Sequence, residues 1–239
     1  MPVSFDLPVA VVTGGNRGVG REVCRHLALL GFGVVLGSRD LRKGELAAKE
    51  LDPEGNRVVA CQLEVDNSIS VIAMADWVKG RFGRTDVLVN NASTMYDRWA
   101  TASSADLGTV AEAIDVNLFG PWRVIHALLP MLRSSTRPRI VNVSSEGGSI
   151  SVMSGGSPAY GVSKAGLNAL TRLLAAELAR DGILVNAVCP GWPASERHPE
   201  GRPGATRLSR TTSGSPRPSG TCSRSCSATR ASCSAATSC

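Results

Sequence analysis

Tyr160 and Lys164, in Ala-Tyr-Gly-Val-Ser-Lys, are the residues of this chain best placed to do chemistry. Four positions apart on a helix, they share one face. An ammonium near a phenol favours the phenolate and lowers the tyrosine pKa towards working pH. Such a tyrosine exchanges a proton with an alcohol or carbonyl oxygen. Ser145, with fourteen residues between it and Tyr160, can hydrogen-bond the same oxygen. Alone, Tyr-x-x-x-Lys is a weak pattern and most simply an ordinary helix face, so its meaning depends on a cofactor site elsewhere in the chain.

The elements that would position these side chains follow from the apolar pattern. Ile140, Val141 and Val143 read as a buried strand ending in Ser144 and Ser145. A loop with Gly147, Gly148, Gly155 and Gly156 follows, and Tyr160 then opens a helical stripe of Leu167, Leu170, Leu174 and Leu178. Near the N-terminus, the strand Val9-Ala10-Val11-Val12 runs into Thr13-Gly14-Gly15-Asn16-Arg17-Gly18-Val19-Gly20 and a helix carrying Val23, Leu27 and Leu30. Strand, glycine turn and helix together are the setting for a dinucleotide. Glycines allow close backbone approach to a pyrophosphate, and the helix start offers free N–H groups and a positive dipole end. A tight turn without a ligand is the plainer alternative. The spacing Thr-Gly-x-x-x-Gly-x-Gly differs from the commoner G-x-G-x-x-G.

The second strand, Gly33–Ser38, closes in Arg39-Asp40, where a ribose discriminator is expected. An acid there would bind the 2′-hydroxyl of NAD. Arg39 suits the 2′-phosphate of NADP, because a guanidinium is permanently charged and bonds phosphate bidentately. Arg17 adds a second positive group. NADP(H) is therefore expected, with NAD(H) as the alternative. A third strand, Arg57–Leu63, leads to Glu64-Val65 at the rim of the same cleft, and a fourth, Val87–Asn90, ends in Asn90-Asn91-Ala92. Helices are expected at Leu41–Leu51, Ile69–Phe82 and Ala105–Ser134, the last with a kink or break at Pro121. A sixth strand, Leu184–Cys189, ends in Pro190-Gly191. Six β-then-α units in a row imply an α/β fold with a doubly wound parallel sheet.

Composition excludes several classes. Of the +6 formal charge, +5 lies in residues 193–239, which hold seven Arg and two acids; residues 1–192 are left with +1 and show no nucleic-acid footprint. No apolar run reaches membrane-spanning length. The first residues lack the basic flank and apolar core of a secretory signal, so the cytoplasm is the expected location. Cys24, Cys61 and Cys189 sit in apolar segments as reduced core residues, and His126 has no metal-type companion. No metal is expected.

Taken together, these motifs resemble those of the classical short-chain dehydrogenases/reductases, and most closely carbonyl-reductase-like members. The resemblance covers residues 9–192 and implies a Rossmann fold. It implies that Thr13, Gly14, Asn16, Arg17, Gly18, Val19, Gly20, Arg39, Glu64, Val65, Asn91, Ala92, Pro190 and Gly191 bind the cofactor together with Tyr160 and Lys164. It implies a catalytic set of Asn117, Ser145, Tyr160 and Lys164. Tyr160 would protonate a carbonyl, Lys164 would lower its pKa and hold the nicotinamide ribose, Ser145 would orient the substrate, and Asn117 would hold a water in a proton relay. The partner would be a small carbonyl or alcohol. A homodimer through Leu118–Ser134 and Ala159–Leu178 is implied, because the insertion that precedes the tyrosine in monomeric carbonyl reductases is missing.

The chain departs from the pattern at Ser93, usually glycine, and at Glu64, usually aspartate. Beyond Pro193 the pattern stops. Residues 193–239 contain no Val, Ile, Met, Phe, Tyr or Trp and a single leucine, Leu208. Such a segment cannot build a core strand. The expected organisation is a six-stranded domain over 1–192, with a disordered tail in place of the seventh strand. Ser195 would stand in for a cofactor-contacting threonine. Loss of the substrate cover leaves a second reading open, a dinucleotide-binding scaffold with impaired turnover.

Overall fold

The structure, a computed structural model, describes residues 7–94, 97–153 and 155–191. Six strands form one parallel sheet: β1 (Val9–Thr13), β2 (Gly33–Ser38), β3 (Val58–Gln62), β4 (Val87–Asn90), β5 (Arg139–Val143) and β6 (Leu184–Val188). Their spatial order is β3-β2-β1-β4-β5-β6. The chain therefore winds outwards from β1 in one direction and from β4 in the other. That reversal opens a crevice at the carboxyl ends of β1 and β4, where ligands of such sheets bind. The doubly wound α/β fold matches the sequence reading, with strand bounds shifted by one residue at several ends.

Helices cover both faces. On one side α1 (Gly18–Leu29) and α2 (Leu41–Leu51) pack Cys24, Ala47 and Ala48 onto Val12, Val34, Leu36 and Val58. On the other, α3 (Ser68–Phe82), α5 (Gly120–Arg133) and α6 (Pro158–Leu178) bring Met74, Val78, Ile125, Leu128, Leu167 and Leu174 onto Val9, Val11 and Ile140. Alternation along β1 sends Val11 to one core and Val12 to the other, as the two-residue strand period requires. Every residue of β1 and β2 is buried, which explains their unbroken apolar runs.

The region 105–134 differs from the expected single helix. A helix α4 (Leu107–Ile114) leads through one π-helical turn, Asp115–Phe119, into α5. Pro121 lies in the first turn of α5, where its missing N–H is tolerated. The irregularity is the π turn just before it. Among the described residues β6 is the last strand of its edge, with Leu184 and Val188 exposed. The expected disorder of 193–239 and the role given to Ser195 lie outside the described residues.

Candidate active site

The glycine loop is built around Thr13 at the end of β1. Its hydroxyl accepts hydrogen bonds from the N–H groups of Asn91 (3.0 Å) and Ala92 (2.9 Å), just past β4. Asn91 in return donates from its amide to the carbonyls of Thr13 (3.0 Å) and Gly14 (3.1 Å). Both motifs are thus locked together across the crevice. The side chains of Thr13 and Asn91 are spent on this lock, so they shape the loop that would meet a cofactor. Gly14 and Gly18 have φ of +64° and +55°, which side-chain-bearing residues rarely adopt.

α1 starts at Gly18 without help from its N-cap residue, Arg17, whose side chain makes no capping bond. By contrast α2, α3 and α4 are capped by Asp40, Asn67 and Asp106. Nothing lies within 4 Å of the place a Cβ would occupy on Gly18. An uncapped helix start beside this open position, at a positive dipole end, fits a pyrophosphate. Arg17 and Arg39 are exposed and make no ion pair with a described residue. Asp40 is committed elsewhere: its carboxylate accepts from Lys43 N (3.1 Å) and pairs with Lys43 Nζ (3.2 Å). It is the cap of α2 and does not compete with Arg39 for a ribose. Glu64 lies half-buried at the rim, its N–H bonded to Ser70 Oγ, while Val65 turns inward against Gly120.

The second half of the site stands at the end of β5. The Ser145 hydroxyl accepts from Gly147 N at 3.2 Å and stands close enough to the Tyr160 phenol to favour its ionised form. Lys164 is 2 % exposed; its Nζ donates to the Val143 carbonyl at 2.8 Å and stands 5.7 Å from the Tyr160 ring centre. A Cβ on Gly148 would come within 2.7 Å of Lys164 backbone, so the loop after β5 lies directly on α6. Ser145, Tyr160 and Lys164 are therefore brought together, as their spacing suggested.

Their electrostatics correct one expectation. Burial pushes the Tyr160 phenol above its ordinary value, the nearby Ser145 hydroxyl works the other way, and Cys189 adds to the rise. Lys164 does not lower it here. Burial pulls the lysine itself down to about 8, and its ammonium is held by a backbone carbonyl. The phenol is thus kept protonated at neutral pH, the state a proton donor needs.

Asn117 sits within the π turn and is fully buried. Its amide donates to the Thr94 carbonyl (2.9 Å) and Ser163 Oγ (3.0 Å) and accepts from Ser93 Oγ (3.0 Å) and Thr94 N (2.8 Å). These four bonds exhaust its side chain. The side chain therefore ties β4's loop to α6 and cannot also hold a water. Its main-chain carbonyl is a different matter: Pro121 has no N–H to give the oxygen four residues back, as an α-helix would.

Sequence reasoning missed several partners. Asn142, inside the apolar run of β5, accepts from Asn90 and donates to Thr171 on α6, both at 2.9 Å. An amide in the middle of Ile-Val-Asn-Val was the available signal. Asp97, which bonds Ala159 N, was also missed. Pro190 and Gly191 follow β6, beyond Cys189. Among the described residues no group of acids, His and Cys could hold a metal, and no helix is long and apolar enough to cross a membrane.

Comparison with known proteins fits this geometry. The family model of the short chain dehydrogenases matches residues 8–203. The chain belongs to that family, a family of oxidoreductases acting on small molecules, and the match continues past the residue 192 at which the motif pattern was read to stop. A (+)-neomenthol dehydrogenase of Arabidopsis thaliana is 34% identical over 244 residues, covering 77% of this chain and 82% of the relative. A salutaridine reductase of Papaver bracteatum is 33% identical, covering 78% of this chain and 82% of its own. Among solved structures, the RhlG/NADP active-site complex of Pseudomonas aeruginosa has a TM-score of 0.74 at 32% identity, over 82% of this chain and 77% of that one. An NADPH-bound carbonyl reductase from chicken fatty liver has a TM-score of 0.72 at 30% identity, over 79% and 81%.

Proposed function

We propose that the chain is an NADP(H)-dependent oxidoreductase that interconverts a carbonyl and an alcohol on a small organic substrate, with Tyr160 as general acid/base. The observation that carries this is the meeting of Ser145, Tyr160 and the buried Lys164 at the end of β5, with Lys164 Nζ 5.7 Å from the Tyr160 ring centre. NADPH, held by Gly14–Gly20, Arg17 and Arg39, with Ala92, Glu64 and Pro190-Gly191 along the cleft, would supply the hydride. Ser145 turns its hydroxyl to the substrate oxygen and shares it with Tyr160. Tyr160 gives that oxygen its proton as negative charge develops there. Lys164, held beside the ring by the Val143 carbonyl, reaches towards the ribose. The proton returns through Lys164 and a water on the main-chain carbonyl of Asn117, since the amide is fully engaged. NADP(H) is favoured over NAD(H) because Arg17 and Arg39 make no ion pair among the described residues while Asp40 is committed to its cap.

A cytoplasmic location is part of this proposal. The chain pairs as a homodimer through exposed apolar groups on the π turn, α5 and α6, including Phe119, Trp122, Val162 and Leu173. The composition of 193–239 favours a second reading, a cofactor-binding scaffold with impaired turnover. Titration with NADPH and NADH, followed by NADPH consumption over a panel of ketones, separates the two. The enzyme reading requires binding and turnover; binding without turnover leaves the scaffold; absence of NADPH binding removes both.

A further inference from the structure

The helix that carries Tyr160 does not start itself. α6 begins at Pro158, which has no N–H, and the preceding Ser157 makes no side-chain cap. Ser157 has φ 52° and ψ 53° and is the sole non-glycine residue of positive φ among those described. Left-handed backbone at a residue with a Cβ persists only where surrounding contacts over-determine it. The first free N–H, that of Ala159, is taken by a residue far back in the chain: it donates to Asp97 Oδ2 at 2.6 Å, across 62 positions. Asp97 is 8 % exposed. A second tie lies beside the first, where Thr101 forms an antiparallel bridge with Gly156.

We infer that Asp97 is a positioning residue for Tyr160. The segment after β4 reaches Asn117 through Thr94, then caps α6 through Asp97, and Tyr160 is the next residue along. A carboxylate at this point satisfies an orphan N–H and meets the positive end of the helix. Together with the Thr101 bridge it holds Ser157 in its left-handed state and so sets the angle at which the first turn of α6 leaves the loop. Tyr160 lies in that first turn. Lys164 lies one turn later and is fixed independently by the Val143 carbonyl. Loss of Asp97 therefore moves the phenol while leaving the lysine and the cofactor side in place. A small misplacement of a reacting group is enough to slow a positioned proton transfer.

The inference rests on the proposed role of Tyr160, and its test has arms that do not depend on turnover. Asp97→Ala and Asp97→Asn are made in the full chain. Amide exchange, NADPH affinity, and kcat and KM with cyclohexanone are then measured well below the unfolding temperature. In Asp97→Ala the Ala159 amide exchanges about tenfold faster, as for one lost hydrogen bond, while protection in β1, β4 and β5 is kept. NADPH affinity is unchanged, and kcat falls about tenfold with KM little altered. Asp97→Asn keeps an acceptor oxygen and retains both protection and kcat. The inference is overturned if Asp97→Ala keeps the protection of Ala159, if it loses that protection with kcat intact, or if Asp97→Asn is as impaired as Asp97→Ala. If the parent chain shows no turnover, the proposed function fails; retained protection at Ala159, or weakened NADPH binding, in Asp97→Ala then overturns the clamp, and faster exchange with intact binding upholds it.

Discussion

Replacing Gly20 with alanine tests how the two motifs of the crevice depend on each other. Gly20 is buried in the first turn of α1, and a Cβ there would stand 2.4 Å from both Asn91 Nδ2 and the Gly14 carbonyl oxygen. Real Cβ contacts essentially never fall below 3.0 Å, so these atoms must separate. Neither is free to do so: one is backbone, and the other is the amide that bonds the Thr13 and Gly14 carbonyls. Losing those two bonds costs about 0.5–1.5 kcal/mol each. Overpacking adds about 1–3 kcal/mol, and the helix preference of alanine over glycine returns about 1 kcal/mol. The expected net loss is about 1–5 kcal/mol by these terms. The amides at the start of α1 shift with the loop, so NADPH binding weakens about tenfold, or 1.4 kcal/mol. Gly18→Ala is the control for stability alone, since Gly18 belongs to the cofactor loop. It meets no atom within 4 Å and carries only left-handed strain, about 1–2 kcal/mol. Urea unfolding gives the stabilities and NADPH fluorescence titration the affinities. A Gly20→Ala chain that matches the parent in both would refute the account of this interface.

Three further outcomes are expected. Burial pushes the Asp86 carboxyl up, but bonds from Arg84, Ser135 and the Val9 N–H outweigh it and hold it below its ordinary value. Its stabilisation is therefore present above the unfolded value of about 3.9 and is lost as pH falls through the lower folded value. Urea midpoints measured from neutral pH downwards should drop in that range, and Asp86→Asn should flatten the drop. Arg39→Asp should weaken NADPH about tenfold or more relative to NADH, by replacing attraction to the 2′-phosphate with repulsion; equal affinity of the parent for both cofactors would remove this argument. Asp40→Ala should lower the urea midpoint through its lost cap and leave the NADPH to NADH ratio unchanged, as separate cofactor titrations would show.

How much of this could be read from residue types depends on whether a partner is local. Strand and helix positions follow from apolar period, so β2 and β4 match their expected bounds and the sheet order follows from right-handed βα winding. Tyr160 and Lys164 meet because a helix turn joins them. Asp97 and Ala159, or Asn142 and Thr171, are joined only by the tertiary fold, and no spacing announces them. Pro121 was legible only as a kink or break in a helical pattern; the π turn that interrupts the pattern just before it, and makes Pro121 part of the first turn of α5, was not. The Tyr160 electrostatics also needed coordinates, since burial of both groups outweighs the simple pairing of charge and phenol.

The central claim is that Tyr160 passes the proton, and Tyr160→Phe tests it most directly. The change removes one oxygen, leaves Lys164 on the Val143 carbonyl and leaves the glycine loop untouched. NADPH affinity measured by titration should stay near that of the parent, while ketone turnover should fall by roughly 100- to 10,000-fold, the usual contribution of a positioned acid. A phenylalanine variant that keeps most of the parent's turnover, with cofactor affinity intact, would contradict the account.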